Sequence, residues 1–352
     1  MRHKKNLAIE KRWKNFYKSF WYTTNMKPKV VVIGGGTGTY TVLSGLKNYD
    51  LDITAIVSMA DSGGTAKIER DEFGMLPNSD IRKALLALSQ TENSDIIRQL
   101  FSYRFYKGVG ISGISFGNFF LAALTDILGD QVDAVGMAGK ILNTKGRVLP
   151  ISTQPTNLLA TYEGGTKILG EHYIDEPLKN GKKRIVNLEL IPEVNIYPLA
   201  RKAIIDADLI VIGPGDLYTS IIANLIVGGV KEAICKSQAV KVYIVNLISK
   251  FGETYKYTAQ DHVRDLEGYL GKNILNFVAV NSSPLPSKII KKYKEENGYP
   301  VKDDLKGGTY KVLRGDFLAE GVVARDKGDT LKRSLVRHDP EKLAKVLVKL
   351  LD

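Results

Sequence analysis

A strand, a glycine loop, a helix and a second strand follow one another near the start of the sequence, and this order constrains the fold most. Residues 29–33 (KVVVI) are a short continuous apolar run that ends at the loop Gly34–Gly38. Residues 40–46 carry apolar side chains at helical spacing, and residues 52–59 (DITAIVSM) form a second run. Continuous apolar runs of this length are typical of buried parallel strands, so the pattern predicts a right-handed βαβ unit.

Later segments extend this unit into a larger α/β fold. Further strands are predicted at 208–212, 241–246 and 276–281, and further helices at 80–89, 96–105, 117–128, 217–236, 258–270 and 340–351. Apolar and polar residues alternate between Gly-Gly turns over 147–191, which predicts antiparallel strands. We therefore expect a Rossmann-like α/β fold. Its doubly wound, mostly parallel sheet would carry a helical insertion and a small antiparallel β subdomain at 147–191, all within a single domain 29–352.

The basic charge of the chain is concentrated in its first residues. Residues 1–29 hold nine Lys or Arg and one acid, Glu10, whereas the net charge of the whole chain is +12. The body is therefore close to neutral, so a nucleic-acid partner is not expected. Residues 1–28 also hold Trp13 and Trp21, and a basic helix with an aromatic face can lie on an anionic membrane surface. The alternative is that this tail packs on the body or on a protein partner.

Several other classes of protein are excluded by what the sequence lacks. Cys235 is its only cysteine, which excludes an internal disulfide framework and any multi-cysteine metal site. The longest apolar stretch, 207–230, contains Asp208, Pro214 and Asp216, and charged residues such as the two aspartates are energetically unfavourable inside a membrane span. We expect a soluble cytoplasmic protein that forms a homo-oligomer.

The first candidate site is the loop Gly35, Gly36, Thr37 and Gly38. Glycines allow a sharp turn and a close approach to a ligand, and the following helix offers free N–H groups to a phosphate. The pattern is neither a P-loop nor a complete dinucleotide fingerprint. It predicts phosphate binding, with a tight turn that binds nothing as the alternative.

A second glycine loop precedes another helix. Gly213 and Gly215 follow an apolar strand, Thr219 and Ser220 stand in the next helical turn, and Asn224 lies one turn further. Asp216 is either a helix cap or part of the site. The carboxyl ends of parallel strands share one edge of a sheet, so both glycine loops are expected to meet there.

Four more polar residues are candidates. Asp61, at the end of the second strand, would read a ribose hydroxyl or hold Mg²⁺, or would cap a turn. Asp80 is a good helix cap. Arg82 opposes the helix dipole, so it would bind an anion or form a surface ion pair. Asn118 would cap its helix or point an amide into a pocket.

These motifs, in this order, resemble the YvcK-like gluconeogenesis factors, which are relatives of the CofD phospholactate transferases. The matching segments are VVIGGGTGTYTVLSGLK, ITAIVSMADSGG, LPNSDIRKALLAL, FGNFFLAAL, ADLIVIGPGDLYTSIIANLIV, VNLISKFGETYKYTAQDHV and RHDPEKLA. The resemblance covers roughly residues 29–350 and leaves the basic tail outside.

The resemblance implies a Rossmann-like core that binds a nucleotide-linked ligand. In the YvcK branch this ligand is a UDP-sugar, notably UDP-N-acetylglucosamine, and the branch is associated with gluconeogenic growth, cell-wall synthesis and cell shape. In the transferase branch a nucleotide-activated phospholactate is transferred with the help of Mg²⁺. The implied ligand-binding residues are Gly35, Gly36, Thr37, Gly38, Asp61, Asp80, Arg82, Asn118, Gly215, Asp216, Thr219, Ser220 and Asn224, with Asp61 as the metal ligand.

Some positions depart from the family pattern. Ser62 stands where a second acid is usual, Ser79 where Gly is usual, Ile114 replaces a His, and Ala223 replaces a Pro. Asp216 replaces the serine of the GPGS loop, and its charge would repel a phosphate by about 4 kcal/mol at ~4 Å and an effective dielectric of ~20. Lys67 or a bound Mg²⁺ would compensate for this charge, or the ligand would be a different one.

The sequence therefore predicts a cytoplasmic regulatory protein that binds a nucleotide-sugar. One alternative is a Mg²⁺-dependent transferase that uses a nucleotide-diphosphate donor. Another is a scaffold that acts through its basic tail.

Overall fold

The computed structural model describes residues 27–60, 62–63, 75–90, 94–105, 107, 113–177, 181–321 and 335–351. Within them, the chain forms a seven-stranded sheet and a separate three-stranded sheet. The predictions made for residues 1–26, for Asp61 and for Lys67 lie outside the described residues.

The large sheet is parallel throughout and is wound in two directions from its centre. The first strand, β1, pairs with β2 on one side and with β7 on the other. The order across the sheet is β3-β2-β1-β7-β8-β9-β10, which is the doubly wound arrangement predicted from the sequence. Its strands are β1 (Lys29–Gly34), β2 (Asp52–Val57), β3 (Arg147–Pro150), β7 (Leu209–Ile212), β8 (Val240–Ile244), β9 (Phe277–Asn281) and β10 (Lys311–Gly315).

Both faces of this sheet are buried, which is why its strands are apolar without alternation. Val30 and Val32 point into one apolar layer, whereas Val31 and Ile33 point into the other. Complete burial of each such side chain contributes about 1.5–3 kcal/mol. The first layer holds α1 (Gly36–Leu46), α2 (Ser79–Leu88), α4 (Phe116–Leu128), α5 (Gln131–Ile141) and α12 (Pro340–Val348), and the second holds α7 (Pro198–Ile205), α9 (Val230–Lys236) and α10 (Ala259–Leu270).

The remaining helices are short. They are α3 (Ser94–Ser102), α6 (Glu171–Asp175), α8 (Ala223–Leu225) and α11 (Ser287–Glu295). The longest helix among the described residues is α4, with 13 residues. In this part of the chain, no helix combines the length and the apolar character that crossing a membrane requires.

The antiparallel sheet is smaller than the sequence predicted. It consists of β4 (Asn157–Tyr162), β5 (Lys167–Leu169) and β6 (Ile185–Ile191), in the order β5-β4-β6. Arg147–Pro150, which was assigned to it, instead pairs in parallel with β2 at the edge of the large sheet. A four-residue strand is too short for alternation to distinguish the two pairings. The antiparallel insertion therefore begins at β4.

The helix predicted over 217–236 is interrupted. A π-helix (Leu217–Ile222) leads into α8, and α9 begins only at Val230. The break lies at Gly228 and Gly229, and Gly229 has φ +89, a left-handed conformation that glycine adopts without strain. The apolar spacing continues across the break, which is why periodicity alone did not reveal it.

The burial of one histidine predicts how the stability of the fold changes at acidic pH. His338 is buried, and desolvation lowers its pKa to about 4, against a hydrogen bond to the backbone of Val245 that raises it. Between about pH 6.5 and 4, His338 is protonated in the unfolded chain but neutral in the folded protein. The free energy of unfolding therefore falls as the pH falls through this window. Between pH 7 and 4, we expect the free energy of unfolding of the wild-type protein to fall by about 3 kcal/mol relative to that of His338→Gln, as measured by urea unfolding. Parallel pH curves for the two proteins would contradict this assignment.

Candidate functional site

The candidate site lies where the winding direction of the sheet reverses, between β1 and β7. Both strands end at this edge, and each is followed by a glycine loop. The helices after the two loops leave on opposite faces of the sheet, which opens a crevice between them. This position confirms that the two glycine loops meet at one edge.

The two loops are in direct contact. A Cβ on Gly215 would lie 3.4 Å from the Gly35 carbonyl oxygen. A Cβ on Gly38 would lie well under 3.0 Å from the Pro214 carbonyl oxygen, closer than real Cβ atoms approach. Gly38 is therefore required for packing, whatever the loop binds.

The first loop leaves the N-terminus of α1 open. Gly35 is the N-cap residue in an extended conformation, it has no side chain that could cap the helix, and the first turn of the helix has no acid. Gly36 has φ +65, and Gly36, Thr37 and Gly38 are partly exposed. Open N–H groups and the positive end of a helix dipole suit an anion such as a phosphate.

Two predicted residues flank this helix end. A Cβ on Gly35 would lie well under 3.0 Å from Asp80 Oδ2 and 3.5 Å from Ser220 Cβ. The other carboxylate oxygen of Asp80 accepts a hydrogen bond from Lys83 Nζ at 2.9 Å. The structure thus brings Gly35, Asp80 and Ser220 together, although Asp80 is not the N-cap of α2 (that residue is Asn78).

The second loop does not offer the free N–H groups that a phosphate loop needs. The carboxylate of Glu253, which is 1% exposed, accepts from Tyr218 N at 2.8 Å and from Thr219 N at 3.2 Å. The Thr219 hydroxyl also donates to Glu253, at 2.8 Å. Thr219, a ligand-binding candidate in the sequence, therefore bonds to an internal carboxyl group in this structure.

Two asparagines hold the second loop in place. Asn246 accepts from Gly215 N at 3.2 Å and donates to Gly215 O at 2.8 Å, so it fixes both sides of that residue. Asn224 is fully buried, and its amide donates to Ser220 O at 2.7 Å and to Gly34 O at 3.4 Å. Asn224 therefore ties the two loops together through its amide nitrogen, while its Oδ1 has no hydrogen-bond partner among the described residues. Asn246 went unrecognised in the sequence.

Asp216 carries its own counter-charge. Its carboxylate accepts from Lys250 Nζ at 2.7 Å, and Lys250 also pairs with Asp175 and lies 3.7 Å from Glu253 Oε1. The sequence proposed Lys67 or Mg²⁺ for this role, and the structure assigns it to Lys250. Asp216 is also not a side-chain cap, since it makes no hydrogen bond to the helix that follows.

Burial sets the protonation of this cluster. Desolvation raises the pKa of Glu253 to about 8, against the attraction of Lys250. Desolvation also raises the pKa of Asp216, again against Lys250. For Lys250 desolvation acts to lower the pKa, but the surrounding carboxylates outweigh it and hold the pKa well above its usual value. Lys250 therefore remains an ammonium ion at neutral pH.

Arg82 and Asn118 form a structural pair. Arg82 is buried, and it donates to Asn118 Oδ1 at 2.9 Å and to Phe101 O at 3.2 Å. Neither a surface ion pair nor a cap describes them, because Ser115 caps α4. A Cβ on Gly117 would lie 2.5 Å from Arg82 Cδ, so that glycine makes room for the arginine. The pair connects α2 to α3 and α4.

A cavity of about 330 Å³ opens near the ends of β2 and β3. Its wall is mostly apolar. The side chain of Gln131, at its rim, accepts a hydrogen bond from Leu76 N and donates one to Leu76 O. This volume is in the range of small-molecule pockets. The lining residues are Met59, Met75, Leu76, Ile81, Asp130, Gln131, Val132, Val135, Pro150, Thr153 and Pro155.

Comparisons with known proteins agree with this architecture. Residues 30–318 match the family model described as 2-phospho-L-lactate transferase CofD. The gluconeogenesis factor of Bacillus subtilis is 42% identical over 327 residues, which covers 92% of this chain and 98% of the relative. The gluconeogenesis factor of Listeria monocytogenes is 37% identical, over 92% of this chain and 96% of the relative. A crystal structure of a UPF0052-family protein from Bacillus halodurans superimposes with a TM-score of 0.83 at 37% identity, covering 92% of this chain and 99% of that one.

Proposed function

Because the chain belongs to the CofD family, and within it to the gluconeogenesis factors, we propose that it is a cytoplasmic regulatory protein that binds a nucleotide-sugar. The ligand class is that of UDP-N-acetylglucosamine, and the process it regulates is gluconeogenic growth together with cell-wall synthesis and cell shape.

The open N-terminus of α1 is the observation that carries this proposal. It faces the crevice at the reversal point of the sheet, and its N-cap residue is a glycine, which has no side chain to cap it. A diphosphate placed there would accept hydrogen bonds from backbone N–H groups, and the helix dipole would favour its charge. The second loop supports the first through packing, since Glu253 already occupies its helix end.

The cavity near the end of β2 suits a ring. It lies at the end of β2, which is the direct neighbour of β1, so a ligand with its phosphates on α1 can extend into it. An apolar wall with a polar rim fits a base or a sugar ring. A nucleotide-sugar combines both chemical parts in one molecule.

A Mg²⁺-dependent transfer from a nucleotide-diphosphate donor is the second candidate function. The match to the phospholactate transferase model is the observation that favours it. Asp61, the metal ligand expected from the sequence, lies outside the described residues. Titration calorimetry with UDP-N-acetylglucosamine, UDP-glucose and GDP, each with and without Mg²⁺, separates the two functions, because the transferase requires GDP-type binding that depends on Mg²⁺.

The substitution Thr37→Asp tests the phosphate position without harming the fold. A carboxylate in the first turn of α1 interacts favourably with the helix dipole, so the unfolding temperature should be unchanged or higher. The same charge would stand beside the diphosphate, and a repulsion of about 4 kcal/mol predicts binding at least about 100-fold weaker. Calorimetry with UDP-N-acetylglucosamine and thermal unfolding measure the two effects.

Thr37→Val is the matched control, because it has nearly the same shape and adds no charge. It should bind within about threefold of wild type, since backbone groups supply most of the phosphate contacts. Equal affinity of Thr37→Asp and Thr37→Val would place the diphosphate elsewhere and would refute the assignment.

A further inference from the structure

Three carboxylates surround a single ammonium group beside the second glycine loop. Asp175 ends α6 in the antiparallel subdomain, Asp216 belongs to the loop after β7, and Lys250 and Glu253 belong to the loop after β8. One oxygen of each carboxylate lies within 4.8 Å of the others. Three convergent carboxylate oxygens are a donor set that suits a hard divalent cation such as Mg²⁺ or Mn²⁺.

Lys250 takes the place that such a cation would occupy. Its Nζ pairs with Asp175, donates a hydrogen bond to the Asp216 carboxylate at 2.7 Å and lies 3.7 Å from Glu253. Its side chain is 28% exposed, and that of Glu253 is fully buried, so solvent screens the group only partly. The ammonium is therefore held in the centre of the cluster by all three carboxylates.

The cluster also borders the candidate site. Asp216 directly follows Gly215, which contacts the Gly35 backbone at the open end of α1. Without a cation, the ionised carboxylates of the cluster would repel an anionic ligand, and such a repulsion in a partly buried site amounts to several kcal/mol. A cation at this point would remove that repulsion.

We propose that Lys250 is a tethered cation that substitutes for a divalent metal ion, so that anionic ligands bind to this chain without a metal. This inference rests on the proposed function for the identity of the ligand, but not for the behaviour of the cluster itself. Lys250 is a positioning residue: it neutralises Asp216 and links the antiparallel subdomain to both loops. Its removal converts the cluster into a divalent-metal site.

The test compares wild-type protein with Lys250→Ala. Titration with Mn²⁺, followed by the electron paramagnetic resonance signal of the free ion, should show one bound ion in Lys250→Ala and none at this cluster in wild type. Affinity for UDP-N-acetylglucosamine should be the same for wild type in EDTA and in excess Mg²⁺. In Lys250→Ala it should fall at least about tenfold in EDTA and recover with Mg²⁺ or Mn²⁺.

A second variant separates the metal effect from a general loss of structure. Asp216→Ser/Lys250→Gln removes the cation together with one carboxylate, so it should bind no Mn²⁺ at the cluster, and its ligand affinity should not respond to metal. If Lys250→Ala unfolds in EDTA, rescue of its folding by Mn²⁺ supports the proposal, and failure to fold with or without the ion refutes it.

Two further results would overturn the proposal. One is wild-type ligand binding that requires Mg²⁺, and the other is a folded Lys250→Ala that binds no Mn²⁺. If wild type binds no UDP-sugar under any condition, the proposed function fails, whereas the Mn²⁺ titration still decides the role of Lys250.

Discussion

Replacing Gly38 with alanine is expected to destabilise the protein by about 2–3 kcal/mol and to abolish ligand binding at the crevice. The new methyl group would lie well under 3.0 Å from the Pro214 carbonyl oxygen and 3.0 Å from Gly215 N. The opposing loop cannot retreat easily, because Asn246 holds Gly215 through two hydrogen bonds. Relief therefore requires that α1 and the second loop separate, which widens the site. Urea unfolding and titration calorimetry measure the two losses.

Gly136→Ala is the matched control for this prediction. Gly136 lies within α5, and a Cβ there would have no atom within 4 Å. Alanine at such a position should stabilise the helix by up to about 1 kcal/mol. If Gly38→Ala were as stable as Gly136→Ala, the two loops could not be packed as closely as the structure shows.

These glycines show how far the sequence could predict the site. Short apolar runs that end in glycines predicted β1 and β7, and the rule that ligands bind at the carboxyl ends of parallel strands placed both loops at one edge. The sequence did not distinguish a glycine that faces a ligand from one that faces another backbone. A Cβ on Gly38 would collide with the Pro214 backbone, whereas a Cβ on Gly36 would have no atom nearer than 4.0 Å, although both glycines belong to the same motif.

Contacts between residues that are distant in sequence could not be predicted either. The cap of the π-helix comes from Glu253, 34 residues beyond Thr219, and the counter-charge of Asp216 comes from Lys250 at the same separation. No local pattern predicts which acid will meet which N–H group across a fold. Local patterns were more reliable: the helix predicted over 258–270 is present as α10, and a capping box between Thr258 and Asp261 marks its start.

Glu253 also determines which of the two helix ends is available to a ligand. Glu253 occupies the helix end after β7 with an internal carboxyl group, so among the described residues the helix end after β1 is the one left open to an external anion. An internal carboxylate at this point also fixes the geometry of the second loop before any ligand arrives. Preorganisation of this kind reduces the entropy lost on binding.

Substitutions of Glu253 should separate its hydrogen bonds from its charge. Glu253→Ala would leave the N–H groups of Tyr218 and Thr219 buried without an acceptor, at about 1–3 kcal/mol each. It would also remove one of the carboxylates around Lys250. We expect a loss of about 3–5 kcal/mol in urea unfolding, with weakened ligand binding. Glu253→Gln keeps an oxygen that can accept from both N–H groups, so its loss of stability at about pH 5 should be far smaller.

The pH dependence of these variants tests the charge directly. Burial raises the pKa of Glu253 from 4.5 to about 8 in the folded protein. Between these values the folded chain holds a proton that the unfolded chain releases, so wild-type stability falls as the pH rises through this window and levels off above it. Glu253→Gln cannot lose that proton, so its stability relative to wild type should increase steadily from about pH 5 to about pH 8. Stability curves that stay parallel over this range would mean that Glu253 is ionised throughout, and that Lys250 and the helix N–H groups outweigh its burial.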